Sequence, residues 1–215
     1  MKRQTCLLLV ILCMYLLSAC KDDDYVYPSV ITEFISASTN DSGTLDYLIT
    51  DNDQKLAIQS RSGLDGLTKD TLYRTISIYQ PIEEGTVKLY SCKLVLSMIP
   101  VTADHILGGL KTDPVDIERM WKSGKFLNMV LLVQMKDQSH SYHFIEEGVQ
   151  KEADGQQTLH LRLYHNRNND YEAFTQKVYL SVPLWAYEHI LKEGDKIVFH
   201  IQTYEEGDTQ REFIY

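Results

Sequence analysis

The sequence predicts an all-β protein: a small N-terminal OB-like barrel followed by a C-terminal antiparallel β-sandwich with two short helices. Three observations carry that expectation. Short runs rich in β-branched and aromatic residues recur between turn residues through the first half, with no helical period among them. Met129-Val130-Leu131-Leu132-Val133 is continuously apolar, as in a strand covered on both faces. Leu159, Leu161 and Leu163 alternate with His160, Arg162 and Tyr164, so one face of that strand points inward.

In the first half the pattern predicts strands over 30–38, 45–50, 55–59, 72–80 and 86–98. The polar loop Thr39–Gly43, the tight connection Asp51–Gln54 and the turn Pro81–Gly85 separate them. Five strands in so short a span fit a small closed barrel. Gly108-Gly109 marks a break, and Asp113-Pro114 then reads as a helix start, with Asp113 as cap and Pro114 in the first turn. Ile117, Met120 and Trp121 fall at i, i+3 and i+4, and Gly124 supplies a stop. Strands follow over 126–136, 141–147, 158–165 and 173–182. A second short helix over 183–192 precedes strands over 195–204 and 211–215. The expected divisions are 1–19 as leader, 20–28 as acidic tether, 29–105 as barrel and 106–215 as sandwich.

The leader sets the expected address. Lys2 and Arg3 precede a run of mostly apolar residues from Cys6 to Leu17. Such a run spans about 18 Å as a helix, short of the roughly 30 Å hydrocarbon core, and reads as a secretory signal peptide. Leu17-Ser18-Ala19-Cys20 is a lipoprotein cleavage site, so Cys20 is the expected acylated residue and first residue of the mature chain. Two or more acyl chains make a durable tether, because each buried CH2 contributes about 0.8 kcal/mol. Lys21-Asp22-Asp23-Asp24 resembles an acidic surface-export signal. The expected location is the outer membrane, lipid-anchored and displayed on the cell surface, with the periplasm-facing leaflet as the alternative.

Loss of residues 1–19 leaves 19 basic and 30 acidic side chains, a balance of −11. That charge disfavours nucleic acid, whose phosphates reward clustered Lys and Arg. Cys92 has no partner once Cys6 and Cys13 leave and Cys20 is acylated. It shares the parity of Tyr90, Leu94, Leu96 and Met98, and is expected as an inert thiol facing the core.

No catalytic constellation, metal site or cofactor motif emerges. His140 and His143, like His160 and His165, stand at odd spacings in strand-like sequence, which sends the rings to opposite faces and predicts scattered surface histidines. Asn166-Arg167-Asn168-Asn169-Asp170 lacks the glycine and bidentate glutamate of a calcium loop and reads as a polar turn. Glu83-Glu84, Glu146-Glu147 and Glu205-Glu206 sit at strand ends, where solvated turn charge explains them. Trp121, Trp185 and Tyr187 are the candidate ligand-binding residues, because exposed rings stack on sugars or pack against a partner.

Several stretches together resemble the NigD-like lipoproteins of Gram-negative gut and oral anaerobes. They include Tyr27–Phe34, Thr50–Asp53, Leu72-Tyr73-Arg74 running to Pro81, and Asp113–Ile117 through Gly124. Tyr142–Glu146, Leu163–Asn166, Lys177–Leu184 and Glu212–Tyr215 extend the likeness over nearly all of residues 20–215. The resemblance implies an N-terminal OB-like domain, a C-terminal β-sandwich and a role in bacteriocin immunity, and brings no catalytic residues. The expectation is therefore a non-enzymatic envelope lipoprotein that acts by binding, in bacteriocin immunity or envelope protection, with a protein toxin or a glycan as its partner. The alternative is a surface glycan-binding accessory lipoprotein, followed by a hydrolase with a site between the domains.

Overall fold

The computed structural model describes residues 28–61 and 66–215. The leader, Cys20 and all of the tether except Pro28 lie outside them. Five strands build the barrel: β1 (Ile31–Thr39), β2 (Leu45–Ile49), β3 (Lys55–Ser60), β4 (Leu72–Glu83) and β5 (Thr86–Leu94). Their order is β1-β2-β3-β5-β4, closed by antiparallel pairing of β1 with β4, while β3 and β5 run parallel. This is an OB-like barrel. Ile35, Ala37, Leu48, Val87 and Leu89 fill its interior. From Phe34 onward β1 is buried on both faces, because its outer face carries the second domain.

That domain is a sandwich of two four-stranded sheets. One is ordered β6-β11-β8-β7, from β6 (Leu96–Ser97), β7 (Asp116–Ser123), β8 (Phe126–Met135) and β11 (Phe174–Pro183). The other is ordered β13-β12-β10-β9, from β9 (Ser141–Lys151), β10 (Gln157–Asn166), β12 (Lys196–Thr203) and β13 (Gly207–Ile214). Pairing is mostly antiparallel, with β10–β12 and β6–β11 parallel. Met129, Leu131, Phe144, Leu159, Leu161 and Phe199 are wholly buried between the sheets. β6 lies before residue 106 in the chain yet pairs within the sandwich.

The two expected helices differ from the observed elements. Residues 116–123 form strand β7, joined to β8 by the two-residue turn Gly124-Lys125. A register shift between Ile117 and Arg119 marks a bulge at Glu118. Crossing that bulge puts Ile117 and Met120 on the sandwich core, and Trp121 against the barrel's Phe34. The bulge thus makes positions i and i+3 share one face, which imitates a helical period. An isolated helix of this length is also marginal beside the pairing offered by β8. In place of the second helix there is a single 3-10 turn, Leu184–Tyr187, followed by turns.

Candidate functional site

The barrel docks on the outer face of sheet β6-β11-β8-β7, and Arg74 pins the two together. Its guanidinium forms a two-pronged ion pair with Asp51 at 2.5 and 2.9 Å, and it donates to Asn128 Oδ1 at 2.9 Å. It also lies 3.9 Å from the Phe126 ring centroid. Asp51 sits on the β2–β3 turn and Asn128 on β8, so the contact joins domains far apart in sequence. Ser181 donates to the same Asn128 oxygen at 2.8 Å.

Two grooves flank this pin. The first, about 420 Å³, runs between β1 and the face of β7, β8 and β11, with Asp51 in its wall. Trp121 stands in it edge-to-face with Phe34 at 5.0 Å, and the Arg119 guanidinium lies 4.4 Å over the indole. Arg119 therefore covers a face that a sugar ring would need for stacking. The carboxylates of this groove are engaged. Glu33 accepts the Tyr79 hydroxyl, Glu118 accepts from Lys177 Nζ at 2.7 Å, and Asp51 holds Arg74. Burial, with the bond to Glu33, raises the Tyr79 pKa well above the ordinary phenol value.

The second groove, about 430 Å³, opens on the other side, with Arg74 in its wall. It is apolar, and Leu72, Leu94, Ile99 and Trp185 line it while remaining exposed, Trp185 by 45%. Leu96, also exposed, belongs to the adjoining edge strand β6. Exposed large apolar side chains gathered in one groove are the usual mark of an interaction surface.

Of the sequence candidates, Trp121 and Trp185 thus line different grooves, and Tyr187 lines neither. Tyr187 is buried and donates its hydroxyl to Glu146 at 2.9 Å. Burial and that bond raise its pKa far above the ordinary value. The apolar second groove escapes sequence reading because its walls come from five separate stretches: β1 at Ser36, β4, the stretch 94–99, β8 at Phe126, and the end of β11 with the turn after it.

Cys92 is buried in the barrel as expected, although the parity argument behind it fails on both sides of that residue. A bulge at Tyr90, between the Ile78↔Ser91 and Tyr79↔Leu89 pairs, places Val87 and Leu89 inside together with Cys92, and Leu94, the last residue of β5, is exposed. The histidines also differ from expectation. His165 is buried and hydrogen-bonded to His140 at 2.9 Å, and His160 stacks on His200. Odd spacing along one strand is no obstacle, because the partners come from different segments. Among the described residues, no group of three or more His, Cys, Asp or Glu is arranged to hold a metal. Asp170 instead accepts backbone N–H groups from Lys136 at 2.6 Å and Tyr171 at 2.9 Å, which anchors the polar turn. Glu147 pairs with Arg162, and Glu206 with Arg211 at 3.1 Å.

Comparison with known proteins places this geometry among relatives. Residues 97–215 match the family model of the NigD-like C-terminal beta sandwich domain. A NigD-like immunity protein from Bacteroides caccae is similar in structure, with TM-score 0.73 and 30% identity, over 89% of this chain and 99% of that one. A protein of unknown function from Bacteroides vulgatus shares the fold at TM-score 0.69 and 20% identity, over 87% and 91% of the two chains. A candidate lipoprotein from Bacteroides fragilis does so at TM-score 0.56 and 12% identity, over 87% and 96%. Among curated proteins, none matches this chain.

Proposed function

The chain belongs to the NigD-like family, and from that premise we propose that it is an envelope lipoprotein that protects its cell by binding a polypeptide toxin of the bacteriocin kind. The observation that carries this reading is the apolar groove of Leu72, Leu94, Ile99 and Trp185. Its occupant is an apolar segment of the toxin, for which Trp185 is the anchor, since exposed aromatics at the centre of an interface contribute most to affinity. The immunity name of the Bacteroides caccae protein supports the same occupant. A binding rather than a catalytic role is favoured by the first groove, where the carboxylates are committed to Tyr79, Lys177 and Arg74. A glycan-stacking role is less well supported, because Arg119 covers Trp121 and Tyr187 is buried.

Acylation of Cys20 would hold the grooves at the membrane where a toxin arrives, and display on the outer membrane surface is the proposed location. Cys20→Ala is expected to release the chain from the membrane fraction. The role itself is tested in a deletion strain challenged with a panel of bacteriocins and complemented with wild type or variants. Wild type is expected to restore resistance. Trp185→Ala is expected to weaken toxin binding about tenfold or more, equivalent to roughly 1.4 kcal/mol. Unchanged sensitivity of the deletion strain across the panel refutes immunity, and binding of the full chain on a glycan array moves the role to sugar recognition.

A further inference from the structure

One end of the sandwich holds a buried histidine pair that the binding role does not use. His140 closes the turn after β8, and His165 lies near the end of β10, opposite Tyr142 of β9. The His165 ring stacks on Tyr142 at 4.8 Å, with the two ring planes nearly parallel. His140 and the Asp170 carboxylate are both inaccessible to solvent, with side chains 1% and 0% exposed.

The hydrogen bonds fix how many protons the pair carries. His165 Nδ1 lies 2.8 Å from the Asp113 carbonyl oxygen, which only accepts, so that nitrogen bears hydrogen. His140 Nε2 lies 3.3 Å from Asp170 Oδ2. Asp170 is an ionised acceptor, because the backbone N–H groups of Lys136, Asp137 and Tyr171 all point at it. His140 Nε2 therefore bears hydrogen too. Between the rings, His140 Nδ1 and His165 Nε2 are 2.9 Å apart, and one hydrogen joins them. Two neutral imidazoles carry two N–H groups in total, and this arrangement holds three. The pair therefore carries one positive charge, balanced by Asp170.

We propose that His140 and His165 form an acid-sensitive latch, which stores one proton at neutral pH and is broken by a second. A second proton would set two N–H groups head to head across 2.9 Å. It would also raise the pair to two positive charges against one carboxylate in a site closed to water. The surrounding groups do not relieve this. Tyr142 from β9 is a neutral phenol, its pKa raised by burial and by Tyr204 beyond β12. Arg167 is a further positive charge, 3.6 Å from the Asp113 carboxylate and 2.9 Å from Glu172. The Lys136 and Asp137 side chains, on the turn after β8, pair with each other at 3.8 Å. Burial independently holds the His165 pKa below the usual histidine range.

The latch joins three segments: the turn after β8, the 111–115 connection and the turn between β10 and β11. That last turn leads into the exposed Tyr171 and Phe174, so its release would loosen an aromatic surface. The unfolded chain takes up both protons below about pH 6.5, whereas the fold accepts one. The unfolding equilibrium constant is thus expected to rise as pH falls below that value, approaching about tenfold per pH unit only well below it, until the second proton is forced on.

The test is nitrogen-15 correlation NMR of labelled histidine rings in the full chain, purified in detergent, from pH 5 to 8. Three ring N–H groups are expected for the pair at pH 7, with the second protonation at least one unit below the ordinary midpoint. Two neutral rings at pH 7, or both rings titrating together near pH 6.5, would overturn the latch. Asp170→Asn keeps an acceptor but removes the counter-charge, and is expected to release the stored proton; retention of three N–H groups in that variant also overturns it. Hydrogen exchange of the Arg167 and Tyr171 amides, corrected for intrinsic rate, should speed up several-fold from pH 7 to 5, and an unchanged rate would overturn the latch. His200 is also held below its usual range by burial, so His200→Gln serves as control and should leave that acceleration intact; its abolition there assigns the effect to His200 and refutes the latch.

Discussion

At the scale of single residues, close approaches between the domains decide which side chains are admissible. Gly124 adopts φ +50, and a Cβ built there would meet the Asp51 carbonyl oxygen at 2.2 Å. The same Asp51 holds Arg74, so bulk at 124 disturbs the pin as well as the turn. Gly124→Ala is expected to destabilise the fold by about 3 kcal/mol, from left-handed strain plus overpacking. Gly85 has a similar φ of +73 but open space around it. Gly85→Ala is expected to cost only about 1 kcal/mol, the strain alone. Urea unfolding of the two variants measures the difference, and equal losses would show that the contact with Asp51 carries no energy.

Individual elements show how a bulge changes what a sequence pattern means. In β5 the bulge at Tyr90 reverses the parity of the residues on either side. In β7 the bulge at Glu118 turns a strand into an apparent helix period. The 3-10 turn after β11 shows the complementary case, in which an aromatic expected at the surface folds inward. Tyr187 there is a structural strut, tying the turn to β9 through Glu146. Tyr187→Phe is expected to lower stability by about 1 kcal/mol, the net value of one such bond, and to leave toxin protection unchanged. Lost protection at full folding would instead place Tyr187 in the binding surface.

Across the whole molecule, stability and function meet at the domain junction. Arg74→Ala leaves the Asp51 carboxylate partly buried with its cation gone, and is expected to cost about 3–5 kcal/mol. Arg74→Met combined with Asp51→Leu removes both charges and should recover most of that loss. Calorimetry of the single and double variants decides it, and a double variant as unstable as the single would show that the ion pair supplies net stabilisation. Alkali acts on the molecule through its buried phenols. Burial raises the pKa values of Tyr79, Tyr142 and Tyr187 in the fold. Above about pH 10 the unfolded chain sheds those protons while the fold keeps them, so stability falls as pH rises from there. Tyr187→Phe should make that decline shallower, as followed by urea midpoints between pH 9 and 11.

Much of the architecture was legible before any coordinates, because burial on one or both faces of a strand is written directly into residue order. The alternation of Leu159, Leu161 and Leu163, the apolar run at 129–133 and the turn at 51–54 all specify strands through local physics. What stayed hidden depends on neighbours distant in sequence. The bulges arise from registry with a partner strand, the apolar groove from walls that five separate segments supply, and the His140–His165 bond from a turn and a strand end that meet only at the end of the sandwich. Hydrophobic pattern acts along the chain, whereas hydrogen-bond partners and cavity walls are chosen in three dimensions, so the tertiary structure alone could decide them.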